Sequence, residues 1–486
     1  MANAEHLQQL LSPQWESFRQ THPRMVPDLT GADLRGTDLA GKDLSRAILR
    51  QADLRGANLT GADLSYVDVQ GADFQGARLQ AVNFTGVRLD LLNFRETGLQ
   101  KALFHRASFR GTDFSFADLR GASLVEANLE GAICRKAQLC EADLSGASLR
   151  GVELEGADLS GVRLDHALAE GVDFSGVKLV GASFVGFYGV RTNFNRAFLE
   201  GGVFREANLR EASFVGASLA RALFEKCELS KGSFQEANLE AACFVGCDMQ
   251  ASDLRRAELA QASFQGVQLA ASRLEGQDFR KLRLDAVSLV RANLTGAILR
   301  GLSLGKVRLE QAKLEGADLR EADLEQANLE EANLSGTNLR AARLRQANLA
   351  RVQGEDVDLS GCDLVLANLA EALLPRADLR FARLIGADCR QARLFWADLR
   401  HADFSKAFLQ GASLWGARIR GTKLPISAWF WRVVLVAAGL VVAWRRRQQE
   451  KLQMEHQRRI RETVKLVRQL EEKDPYLKRA GGRWPV

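Results

Sequence analysis

The sequence predicts an all-β repeat: a coil with four short sides per turn, preceded by a short helical cap and followed by an α-helical extension. Three observations carry this reading. From Leu29 to Leu424 every fifth residue is apolar, and 72 of these 80 positions are Leu or Phe. The exceptions are Val69, Cys134, Ala169, Gly189, Met249, Gly354, Cys389 and Ile419, and the phase never slips. Two residues before each centre stands a small residue, mostly Ala, as in GADLREADLEQANLEEANL (317–335). Two residues after it Gly is frequent, where a tight corner needs its backbone freedom. A period of five fits neither a helical stripe nor a simple alternating strand. A four-sided coil accommodates it, each side supplying one large inward residue, one small inward residue and a turn.

The motif A-(D/N)-L-x-x, as in ADLRG (32–36) and ANLTG (57–61), resembles that of the pentapeptide repeat family over residues 27–424. The resemblance implies a right-handed quadrilateral parallel β-helix with four pentapeptides per coil. Eighty repeats then make about 20 coils, a rod of about 95 Å at ~4.8 Å per coil. Residues 1–26, with Trp15 and Arg19 ahead of the first coil, resemble the family's N-terminal cap, and Ser12 before Pro13 is read as a helix N-cap and first helical residue. An uncapped coil end would expose unpaired backbone and invite stacking.

If a coil is 20 residues, residues 20 apart lie one above another. The phenylalanines then sort into two columns, Phe174/Phe194/Phe214/Phe234 and Phe184/Phe204/Phe224/Phe244/Phe264, which meet across the interior as a packed core. Phe187 at a small site beside Gly189 at a large one reads as a volume swap. Cys134, Cys227, Cys247, Cys362 and Cys389 fall on inward positions, where free cysteine serves as a small hydrophobe. No CxxC pair suggests a zinc or disulfide framework, and the pattern suits a reducing compartment.

Two outward features stand out. Arg280, Arg300, Arg320, Arg340, Arg380, Arg400 and Arg420 share one column, broken only by Ser360. Asp278, Asp318, Asp378 and Asp398 precede four of them by two residues, so the column reads either as a self-screening Asp–Arg ladder or as a candidate anion stripe. Near the same end, Phe395 and Trp415 stack at an outward position, with Phe381, Ile385 and Trp396 nearby, forming a candidate contact patch.

Catalysis is not expected. The histidines His6, His22, His105, His166, His401 and His456 are scattered, and no HExxH, P-loop, dinucleotide fingerprint or Gly-x-Ser-x-Gly elbow occurs. No cofactor or metal is expected, because an interior filled by Leu, Phe and Ala leaves no room for a substrate. Some pentapeptide repeat proteins resemble duplex DNA and bind DNA gyrase, which needs a strongly negative rod. Residues 1–424 carry 52 Lys/Arg against 54 Asp/Glu, a balance of −2 that does not supply it. Residues 425–486 carry 14 against 6, a surplus that favours anionic lipid or an acidic partner, while aromatics interleaved for nucleic acid are few.

Residues 425–447 break the pattern. ISAWFWRVVLVAAGLVVAW (426–444) would span about 28 Å as a helix, close to a bilayer core of ~30 Å. Trp429, Trp431 and Trp444 sit where interfacial aromatics belong, Arg445, Arg446 and Arg447 form a charged stop, and Arg432 interrupts the run near one end, where it can snorkel. These residues are the candidate membrane contacts. The positive-inside preference would hold the tail in the cytoplasm and send the coil outside, yet the N-terminus reads as no export signal. Anchoring without full translocation, with the coil cytoplasmic, resolves the conflict. Residues 448–474 form a charged helix whose Ile460, Val464 and Val467 suit a partner helix or a homo-oligomer seam, and 475–486 read as disordered.

The expected function is a non-enzymatic scaffold or protein-interaction rod, tethered to a membrane through its C-terminal helix. The alternative is a soluble cytoplasmic or delivered interaction protein, an effector or target-protecting inhibitor, whose C-terminal helix caps the coil or forms an oligomer seam.

Overall fold

The computed structural model describes residues 3–425. Two short helices, α1 (Ala4–Leu10) and α2 (Trp15–Thr21), precede a parallel β-solenoid. Its continuous strands, β1 (Ser183–Val185), β2 (Val203–Arg205), β3 (Leu223–Glu225), β4 (Cys243–Val245), β5 (Ser263–Gln265) and β6 (Arg283–Asp285), form one six-stranded sheet in sequential order. Each pairs with the next at an offset of 20 residues, Phe184 with Phe204 and Phe204 with Phe224. Single-residue parallel bridges carry the same offset from Asp28↔Ile48 to Asp403↔Lys423.

The pentapeptide explains each side. The central residue and the small residue two before it point inward, and the residue between them points out and makes the bridge. Leu34 N–H donates to Asp53 O (2.8 Å) and Asp53 N–H to Ala32 O (2.9 Å), the ladder between adjacent coils. At the corner Thr37 N–H closes on Leu34 O (3.2 Å), with Gly36 at φ +60°, a turn that requires positive φ at its third residue. Leu91, Phe381 and Trp396 take the same left-handed conformation at their corners (φ 61°, 61° and 56°). The ladder imposes a geometry there that costs an L-residue about 1–2 kcal/mol. The Asp or Asn before each centre relieves the corner: Asp53 Oδ1 accepts the backbone N–H of Arg55 (3.2 Å).

The two phenylalanine columns meet as the 20-residue offset requires. Rings within a column stack, Phe184–Phe204 at 4.3 Å and Phe194–Phe214 at 5.0 Å. Rings of opposite columns meet edge to face, Phe204–Phe214 at 6.4 Å and 89°. Phe187 is fully buried, and a Cβ on Gly189 would collide with its ring, so the large and small sites are exchanged there. All seven cysteines are free, and the five assigned inward are buried.

The cap differs in one respect from its sequence reading. The N-cap of α2 is Gln14, and Ser12 does not cap that helix. Ser12 Oγ donates to Gln9 O (2.8 Å) and accepts Gln14 N–H (3.2 Å), so it ties the end of α1 to the turn. With Pro13 held in that turn, α2 starts only at Trp15. Trp15 is fully buried, and its indole N–H donates to Asp43 O (2.9 Å). Arg19 closes the first coil through Asp43 (3.2 Å), Ser45 Oγ (3.0 Å) and Met25 O (2.9 Å).

The ladder is not continuous. Among the described residues no backbone hydrogen bond joins 67–80 to 87–100, 151–156 to 171–176, 257–261 to 277–281, or 282–286 to 302–306. At each opening the inward small site carries something larger than Ala: Val67 under Val87, Leu92 and Thr97, Val152 under Val172, Gln277, and Leu282 under Leu302. Bulk at the small site accompanies each opening, but it does not suffice: Val267 lies under Val287 and Ser288 N–H still reaches Val267 O (3.1 Å). The last opening is a cleft of about 420 Å³ between coils, beside Leu284, Ser288, Leu304 and Lys306.

Candidate interaction face

Where Asp and Arg flank an inward Leu, as in ADLR, both side chains emerge together on the outer surface. Arg280 grips Asp278 with Nη2–Oδ2 at 2.6 Å and Nε–Oδ1 at 3.0 Å. The same fork recurs at Arg320–Asp318 (2.6 Å), Arg380–Asp378 (2.6 Å) and Arg400–Asp398 (2.7 Å). Arg300 follows Ile298 and reaches Glu321 instead (2.8 Å). Arg340 has Asn338 beside it, whose Oδ1 accepts the Arg340 backbone N–H (3.1 Å). The arginine hydrogen bond holds the Asp278, Asp318 and Asp398 carboxyls below the usual carboxylate range, against a smaller opposing effect of burial. Most of the column is thus an ion-pair ladder. At Arg420 the preceding outward residue is Arg418, which approaches Asp398 of the coil before at 3.8 Å, and positive charge accumulates at this end.

The aromatic residues stand on the corners beside these arginines. Phe381 (62% exposed), Trp396 (49%) and Trp415 (38%) are exposed, and Ile385 and Phe395 are half-buried. Trp415 packs on Trp396 (4.9 Å, 60°), and Phe395 touches Trp396 at 6.2 Å. Among the described residues Trp415 thus meets the indole of Trp396, and no Phe395–Trp415 ring stack forms. Trp396 occupies a left-handed corner, which lays its ring over Gly416 one coil on, beside Trp415. Phe381 stacks on His401 (5.1 Å, 7°), and His401 in turn covers Gly421. The one-letter pattern does not single out His401 as a participant; its left-handed corner 20 residues after Phe381 was the available signal. Ile385 lies one corner further round.

Trp429, Trp431, Arg432, Trp444, Arg445, Arg446 and Arg447 lie outside the described residues, as do the helices expected over 425–447 and 448–474. Among the described residues no helix is long and apolar enough to cross a membrane.

Residues 67–133 and 217–294 match a family model described as a pentapeptide repeat region. Residues 28–65, 122–161, 153–188, 190–225, 303–340, 332–369, 362–400 and 387–424 match one described as pentapeptide repeats (8 copies). Among solved structures, a pentapeptide repeat protein of the Arabidopsis thaliana thylakoid lumen is 31% identical over 20% of this chain and 66% of its own, with a TM-score of 0.19. QnrB1, a plasmid-mediated fluoroquinolone resistance protein, is 25% identical over 43% of this chain and 90% of its own, at 0.21. HetL, involved in heterocyst differentiation regulation in a Nostoc cyanobacterium, is 25% identical over 63% and 91%, at 0.14. No curated protein matches the sequence. The family models cover well over half of the chain, and with the 20-residue offset of its bridges they place it in the pentapeptide repeat family.

Proposed function

We propose that this protein is a non-enzymatic interaction rod of about 20 coils, about 95 Å long at ~4.8 Å per coil, which presents its faces to a protein partner and is tethered to a membrane through residues 425–447. The observation that carries this reading is the exposed Trp396–Trp415 pair beside Arg418 and Arg420, where the repeat ends at Leu424. The filled axis supports binding over turnover: buried Phe, Leu and Ala occupy it, and the chemistry-bearing side chains stand outside in a repeated ladder. The Trp- and Arg-flanked apolar sequence after Pro425 supports a tether; anchoring without full translocation leaves both the rod and the basic tail on the cytoplasmic side.

Cell fractionation tests this. The full chain is expected in the membrane pellet, and a chain ending at Leu424 in the soluble fraction; a full chain that stays soluble removes the tether. The same patch also favours a second reading, a soluble interaction protein, effector or inhibitor, in which residues 426–444 cover the aromatic corners or join two copies. A soluble full chain whose oligomeric state changes on truncation would support it.

A further inference from the structure

The final coils differ from the rest of the solenoid in charge and in surface chemistry together. Residues 376–425 carry ten Lys/Arg and four Asp/Glu, while 1–424 as a whole balance at −2. Half of this excess lies on one of the four sides. Bridges Asp378↔Asp398 and Asp398↔Arg418 stack segments 375–381, 395–401 and 415–421 as one face. One corner of that face carries Phe395, Trp396 and Trp415; the other carries Arg380, Arg400 and Arg420 with Phe381 and His401. Of its five arginines, Arg376 is held by Glu355 and Asp356 of the coil before (2.5 and 2.7 Å), Arg380 and Arg400 by Asp378 and Asp398, and Arg418 and Arg420 supply the excess. Phe408 projects from the opposite side, where it bridges Asp388, and does not belong to this face.

We infer that this face lies flat against an anionic lipid surface, its tryptophans at the headgroup level and Arg418 and Arg420 among the phosphates. The inference rests on the tether reading, because it states how the rod is held beside the membrane that residues 425–447 reach. Tryptophan and arginine together suit a bilayer interface, where an amphipathic ring and a phosphate-seeking cation find their partners in one plane. The arginines furthest from the tip are neutralised by Asp378 and Asp398, and the excess charge lies at the last coil. A nucleic acid lying along the rod would require the reverse, unpaired cations spread over many coils and rings free for base stacking, whereas Trp396 and Trp415 pack on each other. The chain also leaves the solenoid at Pro425, ten residues after Trp415, so a tether beginning there brings this end closest to the bilayer.

The test uses the full chain with Trp429, Trp431, Trp444 and Trp484 replaced by Phe, leaving Trp396 and Trp415 as reporters over the constant signal of buried Trp15. Mixed with vesicles of phosphatidylcholine and phosphatidylserine, the protein is expected to sediment, its emission to shift to the blue, and acyl-brominated lipid to quench it. Adding W396F and W415F should abolish the quenching. In the otherwise native chain, R418Q and R420Q should each weaken binding to these vesicles about fivefold at low salt, with no such loss on phosphatidylcholine alone. Sedimentation without quenching overturns the inference and leaves the tether standing. Failure of the native full chain to sediment with the same vesicles removes the tether and the inference with it. Displacement from vesicles by a duplex oligonucleotide would assign the face to nucleic acid and overturn the lipid reading.

Discussion

Leu282 and Leu302 occupy the same inward column one coil apart, and no backbone hydrogen bond joins the segments 282–286 and 302–306 that carry them. Where Ala stands on Ala in this column, as at Ala322 and Ala342, the ladder closes: Arg343 N–H donates to Ala322 O at 2.9 Å. Leucine on leucine at the small inward site thus coincides with the parting of these two coils. Hydrogen exchange should be faster at the amides of Leu284, Ser303 and Ala286 than at those of Leu324, Arg343 and Gln326. Leu302→Ala should slow exchange across the opening. Equal protection of both regions in the native chain would refute the opening.

Corners make a second demand. Gly86 sits at φ +70° beneath the ring of Tyr66, and an added Cβ would strike it, whereas Gly176 at φ +66° has open space. Gly176→Ala should cost only the backbone strain, about 1–2 kcal/mol. Gly86→Ala should cost visibly more, and Tyr66→Ala should recover the difference. Urea unfolding of the three variants measures it, and equal losses at both glycines would show that the corner side chains simply swing away.

The Asp–Arg forks give acid sensitivity. The Arg35 hydrogen bond, opposed by slight desolvation, holds the Asp33 carboxyl down to about 2, and Asp53 and Asp118 are lowered by Arg55 and Arg120 in the same way. A depressed carboxyl stabilises the fold above its unfolded pKa, near 3.9, and that contribution is lost as pH falls through the folded value. The melting temperature should hold above pH ~4 and drop between ~4 and ~2. Asp33→Asn should flatten part of this drop and leave the plateau at neutral pH little changed, since exposed pairs contribute about 0–1 kcal/mol.

Thiol chemistry reports on the interior. Burial pushes the Cys134, Cys362 and Cys389 thiols up to about 12, so at pH 8 they stay protonated and enclosed. A maleimide should label half-buried Cys140 and Cys243 first, and the other five only on unfolding. Early labelling of Cys389 would show that the last coils open.

The five-residue rule by itself determined the inward columns, the 20-residue offset, the meeting of the phenylalanines and the pairing of Asp398 with Arg400. All of these follow from a local alternation that repeats without a slip, so position in the chain translates directly into position on a face. The tertiary structure decided what depends on volumes and directions summed across coils. The ladder parts where Val67 meets Val87, Val152 meets Val172 and Leu282 meets Leu302, yet it stays closed where Val267 meets Val287, so the outcome rests on the packing around each pair. Trp415 meets Trp396 because a left-handed corner turns the indole along the axis, which no spacing of letters conveys. Ser12 serves the end of α1 because Pro13 and Gln14 are held in a turn before Trp15, and Trp15 is drawn inward by its hydrogen bond to Asp43. Arg300 turns to Glu321 because Ile298 offers it no carboxylate, a choice made only once the neighbouring coil is in place.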